Sequence, residues 1–156
     1  ALRPLACGQR CGDAAMTGVV LFDVIGTPKP QGSMKAFMAG GHARQKPSGG
    51  LEFAAWRNAV SEAARHQAEI VGKLDGPLRL NVLFRFDMPK SRPKAARELG
   101  RAPKTTAPDL DKLVRAIGDA LTAAGLIRDD ALFVAITAEK IETTGWTGAT
   151  IALEAA

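Results

Sequence analysis

Between Leu78 and Met88 the chain alternates strictly: Leu80, Val82, Phe84 and Phe86 fall on one face, and Arg79, Asn81, Arg85 and Asp87 on the other. Side chains in a strand point to opposite faces at period two, so this segment reads as a half-buried β-strand. A sheet built around it buries one face and leaves the other polar. The covering layer comes from two amphipathic segments. Phe53, Trp56, Val60, Ala63 and Ile70 recur at helical spacing between Leu51 and Val71. Leu113, Ile117, Ala120, Leu121 and Ala124 do the same from Leu110 to Ala124. Gly72 and Gly125 are the expected stops. Weaker patterns predict a first strand over Val19 to Ile25, a hairpin turning at Gly40-Gly41, a long strand from Ala131 to Ile141 and a last one from Ala149 to Leu153. This order predicts an α+β fold, a two-layer sandwich of a mixed β-sheet covered by two helices. Residues 89–108 show no strong period, and a connection of that length usually serves a function or is disordered.

With 156 residues and 46% hydrophobic content, the chain has the size of one globular domain. That domain is expected over 16–156. Residues 1–15 have neither helical nor strand periodicity and read as a leader or expression remnant. Cys7 and Cys11 lie in this stretch, far from His42 and His66, so a four-ligand zinc site is not expected there. No apolar run approaches the roughly 20 residues that cross a bilayer, and no signal-peptide pattern opens the chain. A soluble, cytoplasmic protein without membrane contact is the expectation. Twenty-one Lys and Arg against 16 Asp and Glu give a net charge of +5, which favours an anionic partner such as nucleic acid. Aromatic residues are sparse, at 5% with no Tyr, which argues against a surface that stacks many bases. Trp56 and Trp146 read as packing residues, with a wedge at branched DNA as the alternative for Trp146.

The distribution of acids around the second helix is unusual. Asp109 and Asp111 open it, and Asp129 and Asp130 follow its end. Acids suit a helix start, but the carboxyl end prefers cations, which Arg128 alone supplies. Helix capping, i,i+4 pairs of Arg115 with Asp111 and Asp119, and a turn-forming Asp explain each acid singly. Taken together, four acids beside a basic loop suggest a divalent metal site. Cleaving a phosphodiester needs an activated water and relief of phosphate charge, and hard cations held by carboxylates provide both. An EF-hand is excluded because Leu113 stands where a calcium loop needs an oxygen ligand.

Residues 108–134, PDLDKLVRAIGDALTAAGLIRDDALFV, resemble the signature of the RusA family of Holliday junction resolvases. VIGTPKPQGS and LNVLFRFDMPK are similar to its first turn and to the strand before its basic loop. The resemblance implies a homodimer that uses Mg²⁺ or Mn²⁺ to nick opposed strands of a four-way junction. It also implies catalytic, metal-binding carboxylates at Asp109, Asp111 and Asp130. Two departures stand out: Lys112 where the family often has Asn, and Arg115 where it typically has Lys. Arginine keeps a charge for phosphate but cannot act as an acid. Lys90, Arg92, Lys94, Arg97, Arg101 and Lys104 are the candidate DNA contacts, with Lys29, Lys35, Arg44 and Lys46 as a second patch. The rival readings are a non-catalytic basic DNA-binding domain and a metal nuclease for other branched DNA. A straight helix would hold Asp130 roughly 20 Å from Asp109. Either a bend or returning loop closes the site, or a two-fold dimer brings Asp130 from the partner; the dimer is favoured.

Overall fold

The computed structural model describes residues 18–32, 34–47 and 50–156. The leader expected at residues 1–15, with both cysteines, lies outside these residues, as do the side chains of Lys35, Arg44 and Lys46. The elements are β1 (Val20–Ile25), β2 (Met34–Ala39), β3 (His42–Pro47), α1 (Gly50–Val71), β4 (Leu78–Asp87), α2 (Lys94–Leu99), β5 (Arg101–Pro103), α3 (Leu110–Ala123), a 3-10 turn at Asp130–Leu132, β6 (Phe133–Thr143) and β7 (Gly148–Ala155). The fold is α+β, with a mixed five-stranded sheet in the order β1-β7-β4-β6-β5. β4 and β6 run parallel and the other pairs antiparallel. The early hairpin forms as the glycine pair predicts, but β2 and β3 make a separate two-stranded sheet.

The alternation of β4 decides where the core lies. Leu80, Val82, Phe84 and Phe86 are buried together with Val20, Phe22 and Val24 of β1 and Ala149, Ile151 and Leu153 of β7. Trp56, Val60 and Ala64 of α1 and Leu113, Ile117, Ala120 and Leu121 of α3 complete the same cluster. Leu113, Ile117 and Leu121 are fully buried, and each contributes up to about 2 kcal/mol by leaving water. Ile70, expected on the buried stripe of α1, is instead 66% exposed, because the stripe of α1 that packs on the core ends at Ala68. On the opposite side of the sheet, Arg85 donates to the Thr150 hydroxyl at 2.6 Å and covers the Trp146 ring at 4.2 Å. Trp56 is buried as the packing reading expected, whereas Trp146 is exposed and touches the fold through Arg85.

The connection from Asp87 to α3 is where structure and sequence expectation diverge most. It contains α2 and β5 and is fastened by one buried acid. Glu142 of β6 is 2% exposed; it accepts a hydrogen bond from Arg92 Nε and lies 3.8 Å from Lys104 Nζ. Arg92 also donates to the Pro103 carbonyl at 3.2 Å, and Lys104 Nζ stands over the Phe86 ring. Removing one member of a buried ion pair leaves the others uncompensated. Glu142→Ala is therefore expected to cost roughly 3 kcal/mol, read as a lower midpoint in urea. An unchanged midpoint would mean that the connection holds without this staple.

Candidate active site

α3 begins at Asp109, whose backbone is extended and whose carboxylate bonds Lys112 at 2.9 Å rather than capping the helix. Lys112 holds the Asp109 carboxyl below the usual carboxylate range by hydrogen bond and charge, with a smaller contribution from Lys140. Lys140, on β6, donates to the carbonyls of Thr106 at 2.8 Å and Pro108 at 2.7 Å. It thereby ties the sheet to the loop that delivers Asp109. On the other side, the Gln31 N–H donates to the Lys112 carbonyl at 3.1 Å, so the proline-rich turn after β1 abuts the same helix start. Neither Lys140 nor Gln31 stood out in the sequence.

Past α3 the chain turns back. Leu126 and Ile127 are fully buried. Leu74 N–H donates to the Leu126 carbonyl at 2.7 Å, and Arg128 N–H to the Leu74 carbonyl at 3.2 Å. This return lays Asp130 against the middle of α3. A Cβ on Gly118 would lie 3.3 Å from Asp130 Cβ and 3.5 Å from the Phe133 ring. Asp129 plays the turn-forming role, accepting from Ala131 N–H at 2.8 Å, which holds its carboxyl low. Asp130 is displaced the other way: burial first, then Asp129 and Asp119, push its carboxyl above the usual range.

The return loop therefore brings Asp130 much closer to Asp111 than a straight helix would, without joining them. Gly118 is seven residues, or about 10 Å of helix, from Asp111. Seven residues are nearly two full turns, so Asp111, Arg115 and the Asp130 contact share one helix face. Among the described residues, no group of three His, Cys, Asp or Glu could hold a metal ion, so Asp109, Asp111 and Asp130 do not converge within one chain. The pairs expected for Arg115 with Asp111 and Asp119 do not form among the described residues. Arg115 is exposed between the two acidic ends.

The candidate DNA contacts divide into two groups. Arg92 and Lys104 are engaged by Glu142, Lys94 pairs with Glu98 at 3.7 Å, and Arg101 lies 3.8 Å from Glu139. Lys90 and Arg97 are exposed and make no ion pair among the described residues. In the second patch, Lys29 bonds Glu52 at 2.6 Å.

A family model described as Endodeoxyribonuclease RusA matches residues 26–154. The chain belongs to the RusA family. Comparison with curated proteins gives no match. The RusA match spans β4, the fastened connection, α3 and β6, so all the candidate acids lie inside it. RusA endodeoxyribonucleases act on Holliday junction DNA, which makes this chain a nuclease by family. No described helix of this RusA member is long and apolar enough to cross a membrane.

Asp130 offers a graded test of the site. Gly118→Ala replaces the poorest helix former short of proline with the best, a gain of about 1 kcal/mol in α3. Its methyl group would nonetheless push Asp130 by a few tenths of an ångström. Cleavage is expected to fall about tenfold or more while thermal stability holds or rises, since small displacements at a reacting centre are costly. Full activity in this variant would remove Asp130 from the reacting centre.

Proposed function

We propose that this chain is a Mg²⁺- or Mn²⁺-dependent endonuclease that resolves four-way DNA junctions in the cytoplasm by paired symmetric nicks, working as a two-layer α+β homodimer. The observation that carries this reading is the RusA family match over residues 26–154, within which Asp109 and Asp111 open α3 and Asp130 follows its end. The donor set suits a hard cation: the Asp130 carboxyl is crowded by Asp129 and Asp119, and a divalent ion relieves such repulsion. Asp109, Asp111 and Asp130 would hold it. When bound, the ion supplies an activated water and neutralises charge on the scissile phosphate.

The other residues act through charge and position. Arg115 offers its guanidinium fork to a phosphate oxygen. Lys112 keeps Asp109 ionised and oriented until the ion arrives. Lys140 fixes the loop ahead of α3, so Asp109 and Asp111 enter the site from a rigid start. Lys90 and Arg97 are the cations of the connection best placed to follow phosphates, with Lys94 and Arg101 available where DNA outcompetes their weak exposed pairs.

The test is incubation of the full chain with a synthetic four-way junction, a flapped duplex and a linear duplex, with Mg²⁺ or with EDTA. Paired nicks at symmetry-related positions of the junction, lost in EDTA, are expected. Binding without cleavage of any branched substrate would instead support a non-catalytic DNA-binding domain. Cleavage of the flap alone would indicate a metal nuclease with another target.

A further inference from the structure

The first turn of α3 departs from ordinary helix capping. Asp109 stands at the cap position with an extended backbone, yet its side chain caps no backbone N–H. An aspartate there normally satisfies one of the unpaired donors of the first turn. This carboxylate is instead drawn to Lys112, whose Nζ lies 2.9 Å from Asp109 Oδ2. Asp109, and more weakly Asp111, hold the Lys112 ammonium above its usual range, so both carboxylates act on one cation.

We propose that Lys112 is an internal counter-ion for Asp109 and Asp111, one that must leave Asp109 before a divalent cation can take its place. Lys112 thereby sets how much metal the site requires. The inference rests on the reading of Asp109 and Asp111 as metal ligands.

The surroundings make Lys112 the part that moves. Its side chain and that of Asp109 are 46% and 61% exposed, and exposed ion pairs add little to stability. The backbone on both sides of Asp109 is held. Lys140 donates to the Pro108 carbonyl at 2.7 Å, the Gln31 N–H donates to the Lys112 carbonyl at 3.1 Å, and the Leu113 N–H closes the turn on the Asp109 carbonyl at 3.2 Å. Only the four-carbon stem of Lys112 has to turn for its ammonium to change partner. Lys140 is not such a group, because the carbonyls of Thr106 and Pro108 both take its ammonium.

A lysine in this position opposes metal binding in two ways. It engages an oxygen that a hard cation needs, and it sets a like charge beside that cation. The sign of the effect separates this role from simple support. A lysine that merely pinned Asp109 in place would weaken metal binding when removed, because a ligand would lose its orientation. A counter-ion strengthens metal binding when removed.

The experiment reads metal directly. Mn²⁺ is titrated into the full chain without DNA, and the free ion is followed by electron paramagnetic resonance. Lys112→Met keeps the stem and removes the charge, whereas Lys112→Arg keeps the charge. Arg65→Met, at an exposed position of α1, controls for the change in net charge. Lys112→Met is expected to bind Mn²⁺ roughly fivefold more tightly than the parent. Lys112→Arg and Arg65→Met should stay close to the parent, with circular dichroism confirming an intact fold in each. Unchanged or weaker binding by Lys112→Met overturns the proposal. If Asp111→Asn still abolishes Mn²⁺ binding in that case, the metal reading survives without it. Tighter Mn²⁺ binding by Lys112→Met in a protein that cuts no DNA would leave the counter-ion standing and sink the nuclease reading.

Discussion

Asp111→Asn is expected to lower junction cleavage by at least about a thousandfold while leaving junction binding and thermal stability close to those of the parent. Asp111 is exposed in the first turn of α3 and makes no ion pair with a described residue, so the fold depends little on its charge. A metal-assisted phosphodiester cleavage depends on it heavily. Losing roughly 4 kcal/mol of metal-borne stabilisation corresponds to three decades in rate. The adjacent acids sharpen the test. Asp130→Asn should match Asp111→Asn, because asparagine fills the seat against Gly118 without the charge. Asp129→Asn should cost little, since its carbonyl oxygen can still accept from Ala131 N–H. Single-turnover cleavage of a labelled junction at saturating Mg²⁺ reads all three. Equal losses for Asp129 and Asp130 would mean that the acids act as a diffuse field rather than as ligands.

Gly148→Ala is expected to be the most damaging single methyl group in the sheet. Gly148 opens β7 between β1 and β4, opposite Ile25 and Arg85, with φ at 147°. A Cβ there would stand 1.9 Å from the Val24 carbonyl oxygen and 2.9 Å from the Trp146 ring. The obstruction is mainly backbone, so no rotamer relieves it and β1 must separate from β7. A cost above about 4 kcal/mol is expected, at the far end of what single substitutions do. For a domain of this size that is roughly 8 °C or more in Tm. Gly145→Ala, three residues earlier in the same turn, meets only the Thr143 hydroxyl at 3.5 Å and serves as the control. Calorimetry showing similar midpoints for the two variants would contradict the tight approach of β1 to β7.

Much of the fold was legible because its elements are long and periodic. Four apolar residues in alternate positions of β4 fix both a strand and its buried face, and the α3 stripe does the same at helical spacing. What stayed hidden depends on contacts between distant segments. α2 is six residues without a buried side chain and β5 is three, so neither carries a period; both form because Glu142 pairs with Arg92 and Lys104. The start of β6 moves from Ala131 to Phe133 because Asp129 and Asp130 spend themselves in a 3-10 turn. The acids proposed for the site come from the sequence, through their bracketing of α3 and their likeness to the family signature. The seat of Asp130 on Gly118 does not, since it depends on the return through Leu126 and Ile127. Lys140 escaped notice for a related reason: a lysine in a strand has no local mark of the loop it secures. Buried Glu142 did leave a trace, an acid in the same alternating phase as Ile136 and Ala138.

Among the described residues Asp109, Asp111 and Asp130 form no metal-holding group within one chain, and in the proposed homodimer two copies would complete each metal site. Co-expressing Asp111→Asn and Asp130→Asn chains under different tags and purifying the mixed dimer tests it directly. Shared sites leave one of the two centres with every ligand intact, and the mixed dimer should nick single strands of the junction although each parent variant is inactive. A mixed dimer as inert as its parents would show that Asp111 and Asp130 serve the same centre from the same chain.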